Sequence, residues 1–382
     1  MTHQRLTTPR FLGIALTVPL LVGLVGCAGS SPESAGSGSG TASAAPVTAI
    51  TLVHSAGVNG AAVEEIVKDF ETETGIDVTT IEFSDPDYGA KMKLVQQTGS
   101  ADFDAAIGIP NDVFLLTDVD GVYAKLDTSN FDPDGLKGLK DGKLLGDNYI
   151  VNQDITPLAV YSKDFEADPP TSWADFFDTK TYPGYRGLQS GGFGVPLNII
   201  IALLGDGVKP DKLYPLDLDR AFEKLDTIKD SITLWDAAPK AIQDVAEGNT
   251  TMSYAFSPAA LGAVKNGQPV SVSLFPNTPI TRANAAVMEN GPHGPAAGNA
   301  FLDYWSSPAV QQKYSELTNY GIVIDSQAVY DLLTPDQLAY APFVPDKAQG
   351  TLLDYEYLAE TGDTGVSNLD EINNRWNEWR AQ

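Results

Sequence analysis

Chemistry needs nucleophiles, bases or metal ligands at usable spacing, and this chain of 382 residues is poor in them. Its single Cys, Cys27, has no partner for an internal disulfide. Its three His, one of them His3, form no His/Cys cluster able to hold zinc. No metal and no other cofactor is expected. His54 beside Ser55 hints at nucleophilic chemistry, but adjacent residues of an extended segment point to opposite sides. There is no G-x-S-x-G elbow and no G-x-x-x-x-G-K-[ST] phosphate loop. Fifty Asp and Glu could supply a carboxylate pair for a glycosidase, yet no motif selects one.

Those acids stand against 24 Lys and Arg, for a net charge of −26. Nucleic acid and anionic lipid carry the same sign and are excluded as partners of such a surface. The first residues differ from the rest. Arg5 and Arg10 precede an apolar run of 15 residues, Phe11 to Val25, too short for a typical spanning helix. The run ends in Leu24-Val25-Gly26-Cys27, which looks like a bacterial lipobox, where the Cys becomes the lipidated first residue of the mature chain. Residues 1–26 are therefore expected to be a lipoprotein signal peptide. Their removal takes away two Arg and no acids, so −26 becomes −28. Residues 27–46 would be the lipidated Cys and a flexible tether, since their small polar side chains bury too little surface to order themselves. Two acyl chains anchor stably where one does not. The protein is expected outside the cytoplasmic membrane, periplasmic or on the cell surface, held to it by lipid.

The body reads as α/β. Ile50 to Val53 is strand-like, and Ala62, Val63, Ile66, Val67 and Phe70 recur at helical spacing up to Gly75. A strand at Ile76 to Ile81, a helix at Tyr88 to Gln97 and a strand at Phe103 to Ile109 complete a β-α-β-α-β series, which argues for a parallel sheet covered by helices. Ligands of open α/β sheets sit beyond the carboxyl ends of the strands. That nominates Ser55, Ser84-Asp85 and Asn111-Asp112. Further on, strands are expected at Leu158 to Tyr161, Arg186 to Gln189, Thr251 to Phe256 and Ala285 to Met288. Helices are expected at Ala174 to Phe177, Asp219 to Lys229 and Pro239 to Glu247. Residues 295–382 read mainly as helices.

An ordered series of segments then carries a resemblance. It comprises Phe70 to Val78, Lys91, Asp102-Phe103-Asp104, Pro169 to Phe176, Tyr182 to Gly187, Ala202 to Val208, Leu213 to Phe222, Trp235, Glu247-Gly248 and Arg375 to Trp379. Over about residues 48–380 the chain resembles the solute-binding proteins of bacterial ABC importers, in the spermidine/putrescine-binding group. The resemblance implies the two-lobe clamshell fold of periplasmic binding proteins, type II. Lobe 1 would begin with 47–155, lobe 2 would span 156–279, and 280–382 would return to lobe 1 and supply the C-terminal helices. It implies hinge closure on a small solute and delivery to ABC permease subunits driven by a separate ATPase. It also implies a monomer.

Polyamine binders of this group hold ammonium groups with carboxylates and stack the carbon chain on aromatics. Carried across, Phe256 falls where the group has Trp before Asn-Gly, here Ser257-Pro258. The loop after Gly187, with Gln189, Ser190 and Phe193, has no acid. The group's Asp on the return strand falls at Ala283, beside Arg282 and Asn284. The ligand set is therefore Ser55, Asp85, Asn111, Asp112, Ser190, Phe193, Tyr254, Phe256, Ser257 and Arg282, with Arg282 able to fork onto a carboxylate or phosphonate. Asp154, Asp236 and Trp235 are further candidates. The missing acids point away from a polyamine. Two other classes stand beside transport: a lipid-anchored surface hydrolase, and a clamshell that senses a ligand without transporting it.

Overall fold

The computed structural model describes residues 46–83, 85–191, 194–344, 350–362 and 365–382. The signal segment, Cys27, the tether and Phe193 lie outside the described residues. The strands are β1 (Ala49–Ser55), β2 (Asp77–Phe83), β3 (Ala105–Pro110), β4 (Tyr149–Ile155), β5 (Pro157–Ser162), β6 (Arg186–Gln189), β7 (Ile232–Trp235), β8 (Met252–Phe256), β9 (Val270–Ser273), β10 (Thr278–Val287) and β11 (Gly350–Leu352). The helices are α1 (Gly57–Thr74), α2 (Asp85–Thr98), α3 (Asn111–Thr117), α4 (Pro133–Asp141), α5 (Trp173–Phe177), α6 (Gly194–Gly205), α7 (Leu218–Asp226), α8 (Ala238–Ala246), α9 (Ser257–Lys265), α10 (Pro295–Trp305), α11 (Pro308–Leu317), α12 (Gln327–Tyr330), α13 (Tyr355–Ala359) and α14 (Asn368–Ala381).

Two sheets result. The first runs β11-β10-β3-β1-β2, with β4 also paired to β10. β1 lies parallel to β2 and β3, while β10 runs antiparallel to β3 and β4. The second runs β7-β6-β8-β5-β9, with β6 parallel to both neighbours and β5 antiparallel to both of its own. Both sheets are therefore mixed, not wholly parallel.

Each sheet has its own apolar packing. On one face of the first sheet, Leu52, Ile107 and Val287 meet the α1 stripe Ala62, Val63, Ile66 and Phe70, together with Phe301 and Trp305 of α10. On the other face Val53, Ala106 and Ile109 meet Tyr88 and Met92 of α2 and Phe114 of α3. The α1 stripe is the periodicity seen in the sequence, and Gly75 ends the helix in the left-handed region (φ 71°), returning its N–H to Glu71 O. The second sheet is packed by α5 to α9, and also by Ile372, Trp376 and Trp379 of α14. The C-terminal helix thus joins the second core, with Trp376 Nε1 donating to Ser190 O at 2.9 Å. Helix α6 escapes a periodicity reading because Val195 through Leu203 are all buried and no polar face marks it.

Arg186 opens β6 and is fully buried. Among the described residues its guanidinium forms no ion pair with a carboxylate. It donates instead to the carbonyls of Phe176, Gly184, Asp178 and Tyr182 and to Thr251 Oγ1. Burial lowers its pKa to about 10. One planar fork thereby pins the loop that leads into the sheet. Arg186→Lys leaves several of those buried carbonyls without a donor, and should cost about 2–4 kcal/mol in chemical denaturation.

Candidate ligand-binding site

The first sheet offers the carboxyl ends of β1 (Ser55) and β3 (Pro110), and the second those of β6 (Gln189), β7 (Trp235) and β8 (Phe256). The chain passes from one sheet to the other through Ile155-Thr156-Pro157 and returns through residues 274–277. The outward crossing is clasped. Ser257 N donates to Thr156 O at 2.8 Å, Thr156 N donates to Ser257 Oγ at 3.3 Å, and Ser257 Oγ donates to Gly321 O at 2.5 Å. Ile155 bridges to Ile322.

Beside this clasp sits the charge centre of the molecule. Arg282 on β10 stands in register with Asp154 on β4. Its Nε reaches Asp154 Oδ1 at 2.7 Å and its second terminal nitrogen reaches Oδ2 at 3.1 Å. Asp154 is wholly enclosed. Burial pushes its carboxyl above the usual range, with the guanidinium opposing that shift. Arg282 N donates to Tyr355 OH at 2.9 Å, and burial, with Asp112 and Asp154 nearby, holds that phenol's pKa up. Asp325 lies within electrostatic reach of the pair and accepts from Tyr330 OH at 2.8 Å. Two carboxylates, Asp154 and Asp325, therefore act on one arginine, and Asp112 lies within electrostatic reach of Tyr355.

The structure sorts the nominated residues into groups. Asn111 and Asp112, half-buried at the start of α3, join this centre, with Asn284 Nδ2 donating to Asn111 Oδ1 at 2.6 Å. Ser55 is half-buried at the end of β1. Asp85 opens α2, and only its backbone is described. Ser190 and Phe256 lie half-buried at the second sheet's ends. Three of the nominated residues have polar atoms engaged within the protein. Tyr254 is fully buried, packs edge-on against Trp235 and gives its hydroxyl to Asn198 Oδ1 at 2.9 Å, so its polar atom is spent inside the core. Ser257 is likewise enclosed, its hydroxyl committed to the crossing. Arg282 is forked onto the internal carboxylate of Asp154 through Nε and one terminal nitrogen. His54 turns Nδ1 to the Ser55 carbonyl at 2.9 Å and Nε2 to Glu64 at 3.1 Å, so the contact with Ser55 runs through backbone and not through the hydroxyl.

Sequence reasoning left Asp325 and Tyr355 unmarked, because both come from the C-terminal third and reach the centre only through tertiary packing. Asn284 had a signal: it is one of two long polar side chains in the otherwise small and apolar run Ala283–Val287 with its preceding Arg282. At the second sheet's ends, Trp235 Nε1 and Gln189 Oε1 are buried atoms without a hydrogen-bond partner among the described residues. Two surface grooves, of about 240 and about 500 Å³, are lined by other residues altogether, around Asp219 and Arg375 and around Asp303 and Lys313.

Removing the arginine strands Asp154 in the interior. Arg282→Leu should lose about 3–5 kcal/mol near neutral pH. A carboxyl whose folded pKa is raised binds its proton more tightly when folded, so its unfavourable contribution grows as pH rises through that pKa. The variant should accordingly recover part of its stability as pH falls toward the ordinary carboxylate range, measured by urea denaturation across pH.

Residues 65–337 match the family of bacterial extracellular solute-binding proteins. A γ-aminobutyric acid-binding protein of Pseudomonas aeruginosa is 28% identical over 341 residues, covering 87% of this chain and 91% of that protein. The solved structure of the Atu4243–GABA receptor aligns with a TM-score of 0.72 at 26% identity, covering 88% of this chain and 98% of that one. An ABC transporter substrate-binding protein from Bradyrhizobium japonicum aligns with a TM-score of 0.73 at 25% identity, covering 87% and 99%. With the family match spanning most of its length, and with the two-lobe fold of periplasmic binding proteins, this chain belongs to the bacterial extracellular solute-binding proteins.

Proposed function

We propose that this protein is the solute-binding component of an ABC importer, and that its solute is a small amino acid with separated amine and carboxylate, of the γ-aminobutyrate class. The observation that carries the charge argument is the Arg282–Asp154 fork. With Nε and one terminal nitrogen of that guanidinium engaged by Asp154, the first lobe would offer acceptors, Asp112 and Asn284, suited to an amine. On the other side, Trp235 Nε1–H is a buried donor suited to a carboxylate oxygen. A fully cationic polyamine would want an acid at both ends. The group's acid on the return strand is Ala283 here, and Leu188 through Gly194 contains none. The names of the two γ-aminobutyrate-binding relatives support the same solute class.

Capture would work by closure of two lobes, with 47–155 in the first, 156–279 in the second, and 280–382 shared between them. Contacts from both lobes favour the closed form. A membrane permease with its own ATPase would then receive the solute. The family is extracytoplasmic, and no helix among the described residues is long and apolar enough to cross a membrane. Lipidation at Cys27 would keep the protein near its permease, and the 20 residues of 27–46 would serve as the tether. A monomer suffices for this cycle.

Two measurements test the proposal. Soluble protein beginning at Ala28 should gain about 2.7 kcal/mol at a hundred times Kd of γ-aminobutyrate, read as a rise in Tm. A rise with putrescine and none with γ-aminobutyrate would contradict the solute class. Expressed in its bacterial host, the full chain should fractionate with membranes and Cys27→Ala should not. Equal membrane association of the two would contradict the anchor.

A further inference from the structure

Asn284 sits at a double irregularity of the first sheet. Against β3 the register steps from Asn284↔Ile109 to Ala285↔Ile107, leaving Gly108 as the extra residue. Against β4 it steps from Ala283↔Gln153 to Asn284↔Val151, leaving Asn152 as the extra residue. Gly108 takes φ +85°, and a Cβ there would strike the Ser55 hydroxyl. The two bulged residues are tied together, with Gly108 N donating to Asn152 Oδ1 at 3.3 Å. Bulges on both sides of one residue disrupt the ladder on both sides and re-aim its side chain, a costly arrangement for packing alone.

The result is a side chain with 0% exposure and one unmet hydrogen bond. Asn284 Nδ2 donates to Asn111 Oδ1 at 2.6 Å, while Asn284 Oδ1 has no partner among the described residues. An unsatisfied buried acceptor is unfavourable, and the cost is recovered when a donor arrives. The neighbour through Asn111 is Asp112, a carboxylate that attracts positive charge to the same place.

We infer that Asn284 Oδ1 is the acceptor for an N–H of the solute's ammonium group, making Asn284 a determinant of amine recognition. This rests on the solute-capture reading above and adds to it which end of the solute the first lobe holds. Asn284 performs two tasks that substitution separates. Asn284→Ala removes both the acceptor and the donor to Asn111. Asn284→Asp keeps an acceptor and removes the donor.

Calorimetric titration of the wild type and both variants with γ-aminobutyrate and with putrescine tests it, alongside the Tm of each ligand-free protein. Amine affinity should fall about tenfold or more in Asn284→Ala and stay within about threefold of wild type in Asn284→Asp. Putrescine binding without γ-aminobutyrate binding, with the same pattern across the variants, would retire the amino-acid reading and leave this one standing. Three outcomes would overturn it: unchanged affinity in Asn284→Ala, an equal loss in both variants, or a wild type indifferent to both amines.

Discussion

The buried fork between Asp154 and Arg282 is the constraint on which this architecture turns. It joins β4 to β10, the strand on which the chain leaves the first sheet and the strand on which it comes back. Taking a carboxylate out of water costs several kcal/mol, and the return comes only from good geometry with every remaining group engaged. Here the geometry is two-point, and Tyr355 from the C-terminal third completes the backbone bonding of Arg282. Strands that must carry two crossings between sheets are thus held in one register by charge, while the Thr156–Ser257–Gly321 hydrogen bonds hold the outward crossing a few residues away. A register slip by one residue would turn Arg282 to the opposite face and leave both charges unpaired. The proposed solute class takes this commitment of the guanidinium as its starting point.

Much of the fold was legible in advance because local rules and tertiary packing agree there. The α1 stripe, the Gly75 stop, the short helix up to Phe177 and the strand at β6 were all expected from the sequence. What local rules missed has a physical cause in each case. α6 has no polar face. β4 carries Asn152-Gln153-Asp154, three buried polar residues whose partners, Gly108, Tyr314 and Arg282 of β10, lie far away in the sequence. α14 packs against a core most of whose other members lie between Leu158 and Phe275, far earlier in the chain.

The carboxyl edge of the first sheet was legible in the sequence, and the hydrogen bonding there was less so. Strand ends nominated Ser55, Asn111 and Asp112 correctly as residues at the carboxyl edge of the first sheet. They could not show that Tyr254 and Ser257 spend their hydroxyls internally, since a hydroxyl in a sequence carries no sign of its partner. Arg282 illustrates the point most sharply. Alone on the return strand it reads as an anchor for an anion, and the partner that neutralises it lies 128 residues earlier.

The central claim is that a small amine-bearing acid is held between two lobes that close on it. Small-angle X-ray scattering of the protein from Ala28 onward tests this most directly, without solute and with γ-aminobutyrate at a concentration where calorimetry shows the site filled. The account predicts a smaller radius of gyration in the filled state. A filled site with an unchanged radius, or a site that γ-aminobutyrate never fills, would contradict it.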